Sequence, residues 1–209
     1  MFYQDEPDNI FRFGDIIRGF ASLTPIIDEP ILNLSDCSCN INFSIPNYCV
    51  ILSPCCSISD KVLTMAPLIQ IRNSFFKNPY FAEDLTRINM KIPPEKTMPP
   101  ESWDKLPVEQ KQDRLNKGIG YTFLELFIYK KHYILPEYTV HSKKNNVKTN
   151  YYMIDFRNTF HVNCNKITSP QNVPIESKCL QLSIDARTNL REKIAFYYSR
   201  VPQEDILYV

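Results

Sequence analysis

Hydroxyl and thiol side chains cluster in one short loop, where they could act as nucleophiles. The loop, Ser53-Pro54-Cys55-Cys56-Ser57, lies between two apolar runs at 49–52 and 62–71. This arrangement is typical of two core strands joined by an exposed connection. Ser53 and Cys56 are the candidate nucleophiles of the loop. Such a nucleophile needs a neighbouring base, and the chain offers three histidines, none marked by its sequence context: His132, His141 and His161.

Four cysteines are spaced closely enough to be considered as zinc ligands. Cys37 and Cys39 form a Cys-x-Cys pair, and Cys55 and Cys56 are adjacent, but structural zinc prefers the Cys-x-x-Cys spacing. We therefore expect no bound metal, with these four residues as the candidates if one binds. The total of seven cysteines is odd, and the acidic N-terminus does not resemble a secretory signal. We accordingly expect reduced thiols and a cytoplasmic location.

Three charged residues complete the set of chemical candidates. Asp15 and Asp155 lie in apolar strand patterns, where a carboxylate is costly unless it is paired. A salt bridge or a turn cap is the simpler expectation for both, with catalysis as the alternative. Arg72 is the candidate cation, and it follows the second apolar run beside Asn73 and Ser74. The candidate catalytic residues are therefore Asp15, Ser53, Cys56 and Arg72.

Composition and charge argue against several classes of protein. With 209 residues, of which 44% are hydrophobic, the chain can bury a core. It contains no apolar segment of the roughly 20 residues that a membrane-spanning helix needs. Its four glycines are too scattered for a Walker or Rossmann loop, so we expect no nucleotide and no cofactor. Residues 1–72 carry four basic and eight acidic side chains, which disfavours RNA as the partner.

The elements that must position these residues are mostly short strands. Strand patterns with prolines and polar turns over 11–72 predict a small, strongly curved β barrel. A helical and proline-rich insertion follows at 79–118. It contains a short helix near 81–88, an extended connector at 91–100, and a helix at 107–117 that stops at Gly118.

The β pattern returns at 119–163 and includes a hairpin with arms at 138–141 and 148–152. A C-terminal helix is predicted at 183–201, with Arg191, Glu192 and Lys193 on its solvated face. Its core-facing stripe is Ile184, Arg187, Leu190, Ile194, Tyr197 and Val201. We expect a single α+β domain over residues 1–209, although the connector at 92–100 is a possible boundary.

Three motifs of the chain resemble the PemK/MazF-type toxins. They are Gly14-Asp15-Ile16-Ile17, Val50-Ile51-Leu52-Ser53-Pro54 and Ala66-Pro67-Leu68. Members of that family are SH3-like β barrels, and the catalytic members cut single-stranded RNA as dimers. The resemblance therefore implies an SH3-like (PemK/MazF-like) barrel. The catalytic members have an Arg before the second motif, but this chain has Pro46-Asn47-Tyr48 there, and losing such a charge costs orders of magnitude in rate.

The chain also resembles a family of uncharacterised bacterial proteins over most of its length. Their pattern is a Gly-Asp-Ile start, an apolar strand that runs into Ser-x-x-Cys, an Asp-Phe strand, and a C-terminal helix followed by Arg-Val. The corresponding positions here are Ser53 to Cys56, Asp155-Phe156 and Arg200-Val201-Pro202. An acidic residue usually follows the cysteine in that pattern, whereas this chain has Ser57, so a Cys–Asp pair is not expected.

Together these features favour a noncatalytic protein-interaction or regulatory subunit. The resemblance implies a bacterial stress, toxin–antitoxin, phage-defence or CRISPR-associated assembly, and the 12 Tyr and 13 Phe residues suit an interface. The alternative is a divergent MazF-like endoribonuclease that takes its cation from Arg72 or from another subunit. A thiol- or metal-dependent hydrolase at 53–57 is a third reading. The expected partner is another protein, rather than RNA, a nucleotide or a membrane.

Overall fold

The computed structural model describes residues 1–26, 40–60, 62–78, 81, 83–90, 92, 96–98, 100–121, 123–141, 146–167, 169–171 and 174–199. For residues 55, 59, 60, 100 and 101 it describes the backbone alone. The chain divides into two compact units. The first unit comprises Tyr3–Leu68 and Asn158–Ser183, and the second comprises Met1–Phe2, Ile69–Arg157 and Ile184–Val209. That the two units form one domain stays a prediction.

Strands and helices alternate irregularly along the chain. The strands are β1 (Ile16–Ile17), β2 (Ser22–Ile26), β3 (Asn40–Ser44), β4 (Cys49–Ile51), β5 (Val62–Pro67), β6 (Ile69–Gln70), β7 (Leu126–Tyr129), β8 (Tyr138–His141), β9 (Asn146–Thr149), β10 (Tyr152–Asp155), β11 (Phe160–Asn163) and β12 (Lys178–Leu180). The α-helices are α1 (Pro100–Asp104), α2 (Val108–Asn116) and α3 (Ile184–Ser199). Short 3-10 helices cover Cys55–Asp60, Asn73–Lys77, Leu85–Asn89 and Ile175–Ser177.

A five-stranded sheet in the order β11–β5–β4–β1–β12 forms the centre of the first unit. Ile16 pairs with Val50, and Val50 pairs with Ala66, so the three motif segments become neighbouring strands. The apolar runs supply the core, because β-branched and aromatic side chains pack well on a pleated surface. The buried core residues are Phe11, Ile17, Phe20, Cys49, Ile51, Ile58, Leu63, Met65, Phe160 and Ile167. A separate two-stranded ribbon pairs β2 with β3.

The second unit packs helices against a three-stranded sheet in the order β6–β10–β7. Aromatic side chains make up much of its core. Phe75 and Phe123 meet edge to face, as aromatic pairs prefer, with 4.9 Å between ring centroids. Trp103 is tilted against Tyr121 at 5.4 Å. The β8–β9 hairpin also belongs to this unit.

The α+β class is confirmed, and every pairing between the named strands is antiparallel. The predicted barrel is not closed in the described part of the chain. The five-stranded sheet is open there, with β11 and β12 as its edges. Both edge strands come from beyond residue 157. Strand β11 lies in the predicted second β section at 119–163, and no strand was predicted where β12 lies.

The helix predicted at 107–117 is confirmed as α2, and Gly118 follows it with a φ of +70°. The predicted helix near 81–88 is a 3-10 helix at Leu85–Asn89, whose first turn is capped by Asp84 accepting from Thr86 N. Helix α1 was missed, because the prolines before it predicted an extended chain. The hairpin is confirmed, although β9 begins at Asn146 rather than at 148, and residues 142–145 lie outside the description.

The C-terminal helix is confirmed as α3, but its buried face was predicted correctly only in part: Leu190 is buried and Arg191 and Glu192 are exposed, as expected. Ala186, Leu190 and Lys193 are buried, whereas Ile184 is exposed. Lys193, which we had placed on the solvated face, is only 4% exposed. Val201 lies outside the described residues. No helix in the described part of the chain has both the length and the apolar composition needed to cross a membrane.

Candidate functional site

The predicted nucleophile loop leads into a 3-10 helix that begins at Cys55, and its two candidate residues lie in different environments. Ser53 is only 3% exposed, and its Oγ accepts a hydrogen bond from Thr64 N at 2.7 Å. This bond connects the segment after β4 to β5, so the hydroxyl stabilises the pairing of these two strands. Cys56 is exposed. Thr64 in turn contacts His161 across β5 and β11, with 3.0 Å between Oγ1 and Nδ1.

Cys49 is part of the apolar core of the first unit. Cys49 is fully buried in β4, and burial raises the pKa of its thiol to about 12. Cys37, Cys39 and the side chain of Cys55 lie outside the description. Among the side chains that are described, no group of three His, Cys, Asp or Glu residues is placed to bind a metal. The four-cysteine hypothesis therefore stays a prediction.

Asp15 forms the salt bridge that we expected. Its carboxylate is fully buried in the first unit, and Oδ2 lies 2.9 Å from Lys178 Nζ. Oδ2 also accepts a hydrogen bond from Arg12 N at 2.9 Å. Lys178 donates further to Ile10 O at 2.6 Å and to Gln181 Oε1 at 2.7 Å. Asp15 Oδ2 and the Lys178 amine therefore each have several partners, which helps a buried ion pair to persist.

The sequence did not identify Lys178 as the partner of Asp15. The only signal was a lysine in the short apolar stretch Lys178-Cys179-Leu180, which becomes β12. Because β12 is an edge strand beside β1, the two charges meet although 163 positions of chain separate them. A role for Asp15 in catalysis stays a prediction.

Arg72 belongs to the second unit, where it contacts two carboxylates. Its guanidinium lies 3.3 Å from Asp155 Oδ2 and 3.9 Å from Glu125. Arg157 donates two hydrogen bonds to the same carboxylate, from Nε to Asp155 Oδ1 at 2.9 Å and from Nη2 to Oδ2 at 2.5 Å. Burial of Asp155 raises its pKa, but the hydrogen bonds and charge of Arg157 outweigh that effect and hold the pKa below its usual value. Asp155 is thus paired, as expected.

Arg72 also lines a pocket of about 390 Å³ within the second unit. The pocket combines three cationic side chains with one carboxylate and three aromatic rings. Its lining residues are Arg72, Ser74, Phe75, Lys77, Asn78, Asp104, Lys111, Tyr121 and Phe123. The sequence prediction included Arg72 but missed the other members. The run Phe75-Phe76-Lys77 mixes aromatic and basic residues and was the one local signal.

A second candidate surface lies on the β2–β3 ribbon of the first unit. Strand β3 alternates Asn40, Asn42 and Ser44 with Ile41 and Phe43, which normally places the apolar side chains in a core. Here Ile41 is 64% exposed and Phe43 is 58% exposed. Leu23, the partner of Phe43 across the ribbon, is 61% exposed. We call Leu23, Ile41 and Phe43 the apolar ribbon face.

Comparison with known proteins provides no relative for this chain. No family model, no curated protein and no solved structure matches it.

Proposed function

We propose that this protein is a noncatalytic interaction subunit that binds another protein in the cytoplasm. The observation that carries the proposal is the apolar ribbon face. When a partner covers exposed apolar area, its removal from water stabilises the complex by about 25 cal/mol per Å². Clusters of this kind often mark protein–protein interaction sites.

The ribbon face has the composition of an interface centre. Alternation along β2 and β3 places Leu23 and Phe43 on the same side as Ile41, because side chains two apart on a strand point the same way. Leu23 and Phe43 are also direct cross-strand partners. Aromatic residues such as Phe are enriched at interface cores. A partner that covers this face would bury all three side chains together.

The proposed setting follows from the resemblance to PemK/MazF-type proteins. The three motif segments pair side by side in one sheet through Ile16, Val50 and Ala66, which supports an SH3-like relationship for the first unit. We therefore propose a bacterial stress, toxin–antitoxin, phage-defence or CRISPR-associated assembly. An experimental structure tests the relationship: five or more first-unit strands closing into a barrel would support it, and an open sheet throughout would contradict it.

The experiment for the interaction function starts with the full chain, tagged and recovered from cells that express it naturally. A protein that co-purifies is then produced in pure form, and its affinity is measured by calorimetry. We expect the double variant Ile41→Ser/Phe43→Ser to bind at least about tenfold more weakly, because removing interface hot spots costs more than about 1.4 kcal/mol.

The matched control is the double variant Val108→Ser/Tyr133→Ser. It also removes two exposed apolar side chains, but from the second unit, and we expect no loss of affinity. Thermal unfolding should be unchanged in both variants, since all four side chains are exposed. Equal affinity of the wild type and the ribbon variant would refute the proposal, as would the lack of any partner.

The alternative function, a divergent endoribonuclease, is favoured by one observation. Arg72 lines a pocket together with Ser74 and Lys77, so a cation and a hydroxyl are near one another. Incubation of the purified chain with mixed-sequence single-stranded RNA tests it, with Arg72→Ala as the variant. Asp155 keeps Arg157 as its partner in this variant, so the fold should survive. If the wild type and Arg87→Ala cut the RNA and Arg72→Ala does not, the ribonuclease function would be established.

A further inference from the structure

The pocket beside Arg72 has cations that are available for an anionic ligand. Lys77 forms no hydrogen bond or ion pair with any residue that the structure describes. Lys111 is half-buried, and its one side-chain hydrogen bond to a described residue is donated to the backbone oxygen of Asp104, at 3.2 Å. An ammonium group has three donors, so Lys111 keeps capacity for a second acceptor. Arg72 is partly neutralised by Asp155 and Glu125.

The charges in the pocket favour a small anion. Among the described residues that line the pocket, Lys77 and Lys111 lie with one carboxylate, that of Asp104, while Arg72 is engaged by Asp155 and Glu125. Lys and Arg bind phosphate through charge-assisted hydrogen bonds, which are about twice as strong as neutral ones. A phosphate between Lys77 and Lys111 would therefore replace water at two ammonium groups without breaking an existing ion pair.

The aromatic part of the pocket is built to accept a flat ring. Phe123 is half-buried, and its ring centroid lies 4.9 Å from Phe75 and 5.1 Å from Tyr121. The hydroxyl of Tyr121 accepts a hydrogen bond from the amide of Asn78. Trp103, fully buried, packs against the Tyr121 ring at 5.4 Å. These contacts fix the rings in place, so a ligand ring can stack without a loss of side-chain freedom.

We propose that this pocket binds a nucleoside phosphate, with the phosphate on Lys77 and Lys111 and the base against Phe123. Base–aromatic stacking is worth about 1–3 kcal/mol, and the volume of about 390 Å³ falls within the range of about 300–1,000 Å³ usual for small-ligand sites. The scarcity of glycine argues only against loops that hold phosphate through backbone N–H groups, whereas this pocket uses side chains.

The inference does not depend on the interaction function. It concerns side chains of the second unit, and it requires binding without cleavage. A free mononucleotide and the end of a single RNA strand present the same chemistry, so both are probes. The experiment titrates the full chain with AMP, GMP, CMP and UMP, with adenosine and uridine, with inorganic phosphate, and with a six-nucleotide RNA.

Calorimetry and intrinsic fluorescence report the binding. The chain has one tryptophan, Trp103, and a base stacked near Tyr121 should change its emission. We expect at least one mononucleotide to bind tenfold more tightly than its nucleoside or inorganic phosphate. If the six-nucleotide RNA binds more tightly than every mononucleotide, the natural ligand is the end of an RNA strand. If the RNA and the mononucleotides bind with similar affinity, the natural ligand is a free nucleotide. Both results support the proposal.

Variants separate the pocket from nonspecific charge. Lys77→Ala/Lys111→Ala should weaken nucleotide binding at least tenfold, whereas Lys117→Ala/Lys148→Ala, which removes two exposed lysines of the same unit, should not. Phe123→Leu should weaken nucleotide binding and leave phosphate binding unchanged. The proposal would be overturned if every mononucleotide bound more weakly than about 1 mM. It would also be overturned if the two lysine variants bound nucleotide equally well. The ribbon variant should bind nucleotide normally, which keeps the two hypotheses distinguishable.

Discussion

Two lysine side chains in the described part of the chain are buried, and their surroundings differ in charge. Lys178 in the first unit contacts the carboxylate of Asp15 at 2.9 Å and several oxygens besides. Lys193 in the second unit donates to the backbone oxygen of Ile88, a neutral acceptor. Burial without a carboxylate in contact disfavours the charged amine. Accordingly, burial lowers the pKa of Lys193 to about 7, and the more distant Glu125 only partly opposes this.

Lys193 should make stability depend on pH in the alkaline range. Its folded pKa is about 7, whereas an unfolded lysine titrates near about 10.4. Between these values the unfolded chain holds more protons, so the free energy of unfolding rises with pH, by up to about 1.4 kcal/mol per unit. Lys193→Met removes this contribution. Urea unfolding at pH 7, 8, 9 and 10 should therefore show wild-type stability increasing relative to the variant.

The comparison with the variant is needed because other groups titrate in the same range. Burial raises the pKa of Cys49 to about 12, and it also raises the pKa of Tyr3. Both groups lower stability at high pH, but they are present in the wild type and in Lys193→Met alike. Lys117→Met, at an exposed ion pair, serves as the control and should run parallel to the wild type. Parallel curves for Lys193→Met would show that Lys193 is charged in the folded state.

At the scale of the elements, α2 shows how one residue ends a helix. The helix has no buried residue, so packing contributes little to where it stops. Gly118 N donates to Leu115 O at 2.9 Å, and Ile119 N donates to Arg114 O at 2.9 Å. These bonds satisfy carbonyl groups at the helix end. They require a positive φ at Gly118, which glycine adopts without a steric penalty.

Gly118→Ala should therefore destabilise the protein through backbone strain alone. A Cβ at this position would meet no atom within 4 Å, so no clash contributes. We expect a loss of about 1–2 kcal/mol in the free energy of unfolding, the cost of a left-handed conformation for alanine. Gly118→Asn is the matched variant and should lose less, because Asn tolerates this region better. Urea unfolding measures both, and equal stability of Gly118→Ala and the wild type would contradict the argument.

At the scale of the whole molecule, acidic side chains with lowered pKa occur in both units. Asp8 in the first unit and Asp84 and Asp155 in the second all have this property. In each case burial raises the pKa, but hydrogen bonds and nearby cations outweigh it. The folded state therefore binds protons less readily than the unfolded state, whose aspartates titrate near about 3.9.

The protein should accordingly lose stability in acid. The contribution of these aspartates is fully present above about pH 5, and it is lost as the pH falls below about 4 and passes through the folded pKa values. We expect similar thermal midpoints at pH 6 and 5, and a steep fall from pH 4 to 3. Asp155→Asn should reduce that fall, whereas Asp113→Asn, at an exposed ion pair, should not. An acid transition identical in Asp155→Asn and the wild type would count against this explanation.

Local patterns were enough to determine several features from the sequence alone. The apolar runs at 49–52 and 62–71 predicted β4 and β5, although the second run also contains β6, which belongs to another sheet. Pro107 and Gly118 predicted the limits of α2. The β8–β9 hairpin was also predicted from the turn residues between its arms. These features depend on residues within a few positions of one another, where propensity and periodicity determine the backbone.

Which side chains meet depends on the packing of distant segments. Asp15 meets Lys178, and Arg72 meets Asp155 across 83 positions of sequence. The pocket gathers residues from three separate segments at 72–78, 104–111 and 121–123. The burial of Ser53 and Lys193 followed from the same packing. Such contacts depend on how strands pair and helices dock, and the sequence contains no local pattern that specifies them.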